Sequence, residues 1–154
     1  MKLLTIIFAT MFLFISESYA GGMPADILGK VRAPIESRYP DNYSMQKTLI
    51  EDQVQSYEYL QGYLPTSVPF DVFGKIKASI ESRYPYNFSM QKTLIEDQVE
   101  SYDFLKNYAP SSVPSNVLDR IKNSISSRYP YNFSMQKTLI EDQVESYIDL
   151  NKKN

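Results

Sequence analysis

The stretch Ser82-Arg83-Tyr84-Pro85-Tyr86-Asn87-Phe88-Ser89-Met90-Gln91-Lys92-Thr93-Leu94-Ile95-Glu96-Asp97-Gln98-Val99-Glu100-Ser101-Tyr102 recurs without change from Ser127 to Tyr147. A copy from Ser37 to Tyr57 differs from both only at Asp41, Tyr43 and Gln55. Successive copies are 45 residues apart, and Pro24, Pro69 and Pro114 extend the same frame backwards. A fixed period in this range marks an architecture of stacked supersecondary units, none of which buries its apolar face alone.

Each unit reads as two helices. In the second, Val72, Phe73, Ile76, Ile80 and Tyr84 fall on one face at the helical period. Pro69 suits a first helical turn, with Ser67 as a possible cap. Tyr84-Pro85 ends this helix, because a residue before proline is pushed out of the α region. Asn87 or Ser89 is placed to cap a second helix, predicted over 90–108. Its apolar positions, among them Met90, Leu94, Ile95, Val99, Tyr102 and Leu105, cover about half the circumference, which predicts contact on two sides. The second helix is therefore expected at the centre of each unit, with the first as its cover. The fold class is all-α: three tandem helical hairpins stacked as a short solenoid or six-helix bundle. The repeats span 21–63, 64–108 and 109–154.

Residues 1–20 read as a signal peptide. Lys2 gives a basic start, Leu3 to Ile15 is almost wholly apolar, and Ser18-Tyr19-Ala20 places small residues at −3 and −1 of a cleavage site. The apolar run is shorter than the roughly 20 residues that span a bilayer. The expectation is a secreted or periplasmic protein with no membrane insertion after cleavage. At the ends of the array, Pro34 replaces Ser79 and Ser124 and is expected to kink or shorten its helix. Asn151-Lys152-Lys153-Asn154 is a polar tail where the second unit has Lys106-Asn107-Tyr108. Both look like caps on a finite stack.

The 154 residues include no cysteine and no histidine. That excludes disulfides, thiolate nucleophiles, Ser-His-Asp and Cys-His sites and the usual zinc sites. The net charge of −2 gives no field favouring nucleic acid. No metal, cofactor or catalytic residue is expected. The acidic trio Glu96, Asp97 and Glu100 reads as a solvated helix face. The Asn42, Asn87 and Asn132 sequons read as helix caps.

Two features remain as candidate binding elements. The Arg-Tyr-Pro turns supply Arg38, Tyr43, Arg83, Tyr86, Arg128 and Tyr131, residue types enriched at binding hot spots. Their plainer role is to seal the gap between the two helices. Two glutamines per unit, Gln46 and Gln53, Gln91 and Gln98, Gln136 and Gln143, project into the apolar arc. A buried amide needs partners, so these either bond loop backbone or each other across stacked units, or line a groove and grip an extended peptide.

Between units two and three the turn and second helix are identical, while 64–81 matches 109–126 at only about half its positions. That contrast makes the turn and second helix the expected contact surface. The function expected is a non-enzymatic binding or scaffold protein recognising a protein, peptide or glycan through repeated Tyr/Arg surfaces. The alternative is a self-associating structural protein.

Overall fold

The computed structural model describes residues 22–152. The signal-peptide reading and the last two residues of the polar tail lie outside them. Six helices follow one another: α1 (Ala25–Arg38), α2 (Tyr43–Gly62), α3 (Phe70–Arg83), α4 (Phe88–Asn107), α5 (Ser115–Arg128) and α6 (Phe133–Lys152). Of the described residues 78% are helical and none is in a strand.

Local chemistry sets the boundaries. Pro24, Pro69 and Pro114 stand just before the short helices, and their carbonyls accept the first helical bonds, as from Phe73 N–H at 2.9 Å. None of the three short helices has a side-chain cap at its start. Ser67 instead donates to a carboxylate oxygen of Asp103 at 2.8 Å. The expected cap is thus replaced by a tie to α4. At the other end, the Tyr84 N–H closes on Ile80 O before Pro85 removes the next donor. Asn42, Asn87 and Asn132 then cap the long helices, accepting from the amides of Met45, Met90 and Met135 at 3.0–3.3 Å.

Pro34 does not shorten α1, which has the 14 residues of α3 and α5. Its missing donor would have served the carbonyl of Lys30, and both residues are exposed, so the lost bond falls on a surface open to solvent.

Each short helix packs on the long helix that follows it: α1 on α2, α3 on α4, α5 on α6. Beyond these pairs the elements in contact are α2 with α4 and α4 with α6. The long helices therefore lie side by side in a row, and the short helices form an outer layer, each packed chiefly on the long helix that follows it. Three apolar clusters follow this division. One gathers Met23, Leu28 and Val31, another Phe73, Ile76, Ile95 and Val99, the third Leu118, Ile125, Ile140 and Val144. Phe88 and Phe133, at the starts of α4 and α6, also pack into the cluster of the unit before. The aromatics of the turn thus close the gap between consecutive units.

Candidate functional site

The repeated surface is a pair of seams, α2 against α4 and α6 against α4. The long helices begin with amides that their own turn cannot bond. Asn87 takes the Met90 amide of α4, but the Phe88 and Ser89 amides still need acceptors. Gln53 of the preceding unit supplies one: its Oε1 accepts from Phe88 N–H at 2.6 Å and Ser89 N–H at 3.3 Å. Its Nε2 donates to Ser89 Oγ at 2.9 Å and Asn87 Oδ1 at 3.4 Å. The second seam repeats this. Gln98 Oε1 accepts from Phe133 and Ser134 at 2.6 and 3.3 Å, and its Nε2 reaches Asn132 Oδ1 at 3.5 Å. One glutamine thereby caps the helix of the next unit and sets its register.

The other glutamine of each unit works within it. Gln46, Gln91 and Gln136 donate to the carbonyls of Tyr39, Tyr84 and Tyr129 at 2.6–2.7 Å, holding the end of the short helix against the long one. Gln91, Gln98 and Gln136 are buried, and among the described residues no buried side-chain polar atom lacks a partner. Five of the six glutamines make hydrogen bonds to backbone groups inside the chain. The sixth, Gln143, is exposed and reaches only Asp142, at 3.5 Å.

Aromatic and cationic side chains flank each lock. Tyr57 meets Phe88, and Tyr102 meets Phe133, edge to face at 5.0 Å. Lys30 lies 4.9 Å from the ring of Tyr86, and Lys75 lies 4.7 Å from that of Tyr131 while donating to its hydroxyl at 2.8 Å. Both tyrosines adopt left-handed backbone, φ 60° and 61°. A non-glycine residue there is strained, and capture by the preceding unit's lysine is what the strain accompanies. Asp41, at the matching position of the first unit, has no unit before it among the described residues and takes no positive φ.

A second set of cations runs the other way. Lys92 lies 4.6 Å from the Tyr59 ring and Lys137 lies 4.7 Å from that of Phe104, each reaching back to the preceding unit. Beside Lys92, the Glu96 carboxylate accepts from the neutral Tyr59 hydroxyl and pushes its pKa up to about 12. Burial and Glu141 push Tyr108 up in the same sense. Hydrogen bonding to Tyr86 and Tyr131 raises Lys30 and Lys75.

The structure thus brings Gln53, Gln98, Tyr86 and Tyr131 together at the seams. Arg38, Arg83 and Arg128, the exposed last residues of α1, α3 and α5, line the clefts at these same seams and have no ion pair among the described residues. Tyr43 is 74% exposed. Lys30 and Lys75 escaped the sequence reading, although a cation recurs at 30, 75 and 120, which was the available signal. The acidic trio stays at the surface, with Asp97 and Glu100 exposed. Among the described residues no group of three His, Cys, Asp or Glu side chains could hold a metal ion. No family model matches the chain, and neither does any curated protein or solved structure.

Proposed function

We propose that the protein is a non-enzymatic scaffold that works after export. It is a short solenoid of three hairpins that meets its partner along the ridge of Arg-Tyr-Pro turns. The observation that supports this reading is the row of Arg38, Arg83 and Arg128. Each guanidinium ends a short helix, is exposed, and has no ion-pair partner among the described residues. A guanidinium offers a planar fork that suits carboxylates in paired geometry. The partner class is therefore a protein or peptide segment rich in Asp and Glu, laid across successive units.

The ridge also offers contact area. Clefts of about 420 and 340 Å³ lie beside Arg38 at the first seam and beside Arg83 and Arg128 at the second. The exposed methionines Met45, Met90 and Met135 recur at the starts of the long helices. Met90 lines the first cleft. Adaptable apolar side chains beside fixed charges suit a binding surface. The signal-like segment 1–20 favours export. No helix among the described residues is long and apolar enough to cross a membrane.

A crosslinking pulldown of the exported chain from its native envelope or medium tests the reading. Replacing Arg38, Arg83 and Arg128 together by Gln should abolish capture of the partner while helicity and unfolding midpoint are kept. Capture unchanged by the triple substitution would overturn it.

A further inference from the structure

Among the described residues the row of long helices is open at both ends, and the two ends carry the two halves of the seam. We infer that copies of this chain join head to tail, α6 of one copy meeting α2 of the next in the register of the internal seams. The exposed edge of α6 holds Gln143, whose equivalents Gln53 and Gln98 cap the following helix. The exposed start of α2 holds the Tyr43 and Ser44 amides, to which no hydrogen bond runs among the described residues. Their equivalents at Phe88, Ser89, Phe133 and Ser134 are the amides those glutamines take. Tyr147 stands where Tyr57 and Tyr102 meet the next ring edge to face, and exposed Tyr43 stands where that ring belongs.

The cleft at the second seam shows the same half-completion. It is lined by Lys75, Arg83, Leu94 and Gln98 and closed by Tyr131 and Asn132 of the following turn. One unit on, Arg120, Arg128, Leu139 and Gln143 line the matching cleft with no turn to close it.

Charge identifies the missing occupant. Inside the chain, the seam pairs Lys30 with Tyr86 and Lys75 with Tyr131. At the ends the same two positions are Arg120 and Asp41. The other seam pairs set Lys92 against Tyr59 and Lys137 against Phe104. Their equivalents at the ends are Lys47 and Asp149. Two cation–aromatic contacts inside the chain thus become two ion pairs between chains, Arg120 with Asp41 and Asp149 with Lys47. Both acids appear only where the array ends, each opposite a base. In the single chain, Lys47 settles for Glu51 at 3.8 Å and Asp149 for Lys152 at 3.5 Å, loose exposed pairs that a neighbouring copy replaces. A contact between unlike surfaces propagates, so assembly continues beyond two copies unless a ring closes.

The test is the mass of the exported chain against concentration at low salt, by sedimentation or light scattering. Mass is expected to rise past that of a dimer. Asp41→Arg and Arg120→Asp each set like charges opposite one another, and each should weaken association by about tenfold or more. An equimolar mixture of the two variants restores opposite charges at every junction and should recover the assembly, as should the double variant. That recovery also shows that the single variants fold. A chain that stays monomeric at millimolar concentration overturns the inference. So does a mass that stops at a dimer, single variants that assemble like the parent, or a mixture that does not recover.

Discussion

The two layers of the molecule answer to different demands. Each short helix of the outer layer packs chiefly on one neighbour, the long helix that follows it, and reaches others only through single side chains. The central long helix, α4, meets three: its own short helix, α2 and α6. A helix with one partner needs only an apolar stripe, and many sequences provide one. A helix whose side chains must cap the next unit, accept the previous one and hold its own turn has few free positions. This is where the second and third copies are identical, from Ser82 to Tyr102 and from Ser127 to Tyr147, while the preceding stretches have diverged. Within the row, position adds a further difference, because the same residue is sealed in the middle and open at an end.

Isoleucine in the TLIEDQV segment shows this most strongly. Ile95 is 0% exposed, Ile140 nearly so, and Ile50 is half-buried because among the described residues no long helix precedes α2 in the row. Ile95→Ala should destabilise by about 2–5 kcal/mol, the cost of removing buried methyl groups and leaving a cavity. Ile50→Ala, in the same heptapeptide, should cost less than half of that. Urea unfolding of both variants checks the ratio, and equal losses would mean that the row does not pack as described.

The glutamine locks should follow next in size. Gln98→Ala strands the Phe133 and Ser134 amides in a closed seam, which should cost about 1–3 kcal/mol. Gln143→Ala, in identical local sequence, touches no amide of the next turn and should stay within about 0.5 kcal/mol of the parent at low concentration. A comparable loss at both sites would place the value of this glutamine inside its own helix instead of at the seam.

The outer layer offers a smaller contrast. In α5, Lys122 donates to the carbonyls of Leu105 and Tyr108 at 3.1 and 2.7 Å, neutralising the C-terminal end of α4. Its equivalent Arg32 pairs only with Glu36 on its own helix, both exposed. Lys122→Ala should cost about 1 kcal/mol and Arg32→Ala at most about 0.5 kcal/mol. The thermal midpoints of the two variants report the difference.

The six helices were legible from sequence because local signals set them: a proline before each short helix, Tyr-Pro after it, and asparagine at the start of each long one. The apolar half-circumference of the long helix implied two-sided contact, and α4 has it. The seam was legible only in outline. That the glutamines bond loop backbone follows from the cost of burying an amide. Which turn each one serves does not, since Gln98 could equally have been written to its own turn, and identical copies carry no mark of the pairing. The left-handed tyrosines gave no warning either. Tyrosine disfavours that region, and its holding lysine lies 56 residues earlier in the chain. Pro34 and Ser67 misled for a related reason, because an exposed carbonyl and a nearby Asp103 changed what each residue does.

The smallest effect at neutral pH is also the sharpest comparison of the two seams. Tyr59 packs against Lys92 at the first seam, and Phe104 does the same with Lys137 at the second. In the unfolded chain a tyrosine loses its proton near pH 10, whereas Glu96 holds that of Tyr59 to about pH 12 in the fold. Between those values the folded state binds the extra proton, so stability falls as pH rises through the window. Lys30 and Lys75, raised above 10.5 by their tyrosines, act in the same direction, their contribution present below that value and lost above it. Alkaline titration of the unfolding midpoint should therefore show a decline beginning near pH 10. Tyr59→Phe gives the first seam the hydroxyl-free ring of the second and should make that decline shallower. Tyr63 and Tyr108, both raised by burial, keep it from vanishing. Below pH 9 the difference between variant and parent should no longer change with pH, since the proton that distinguishes them is bound in both the folded and the unfolded state.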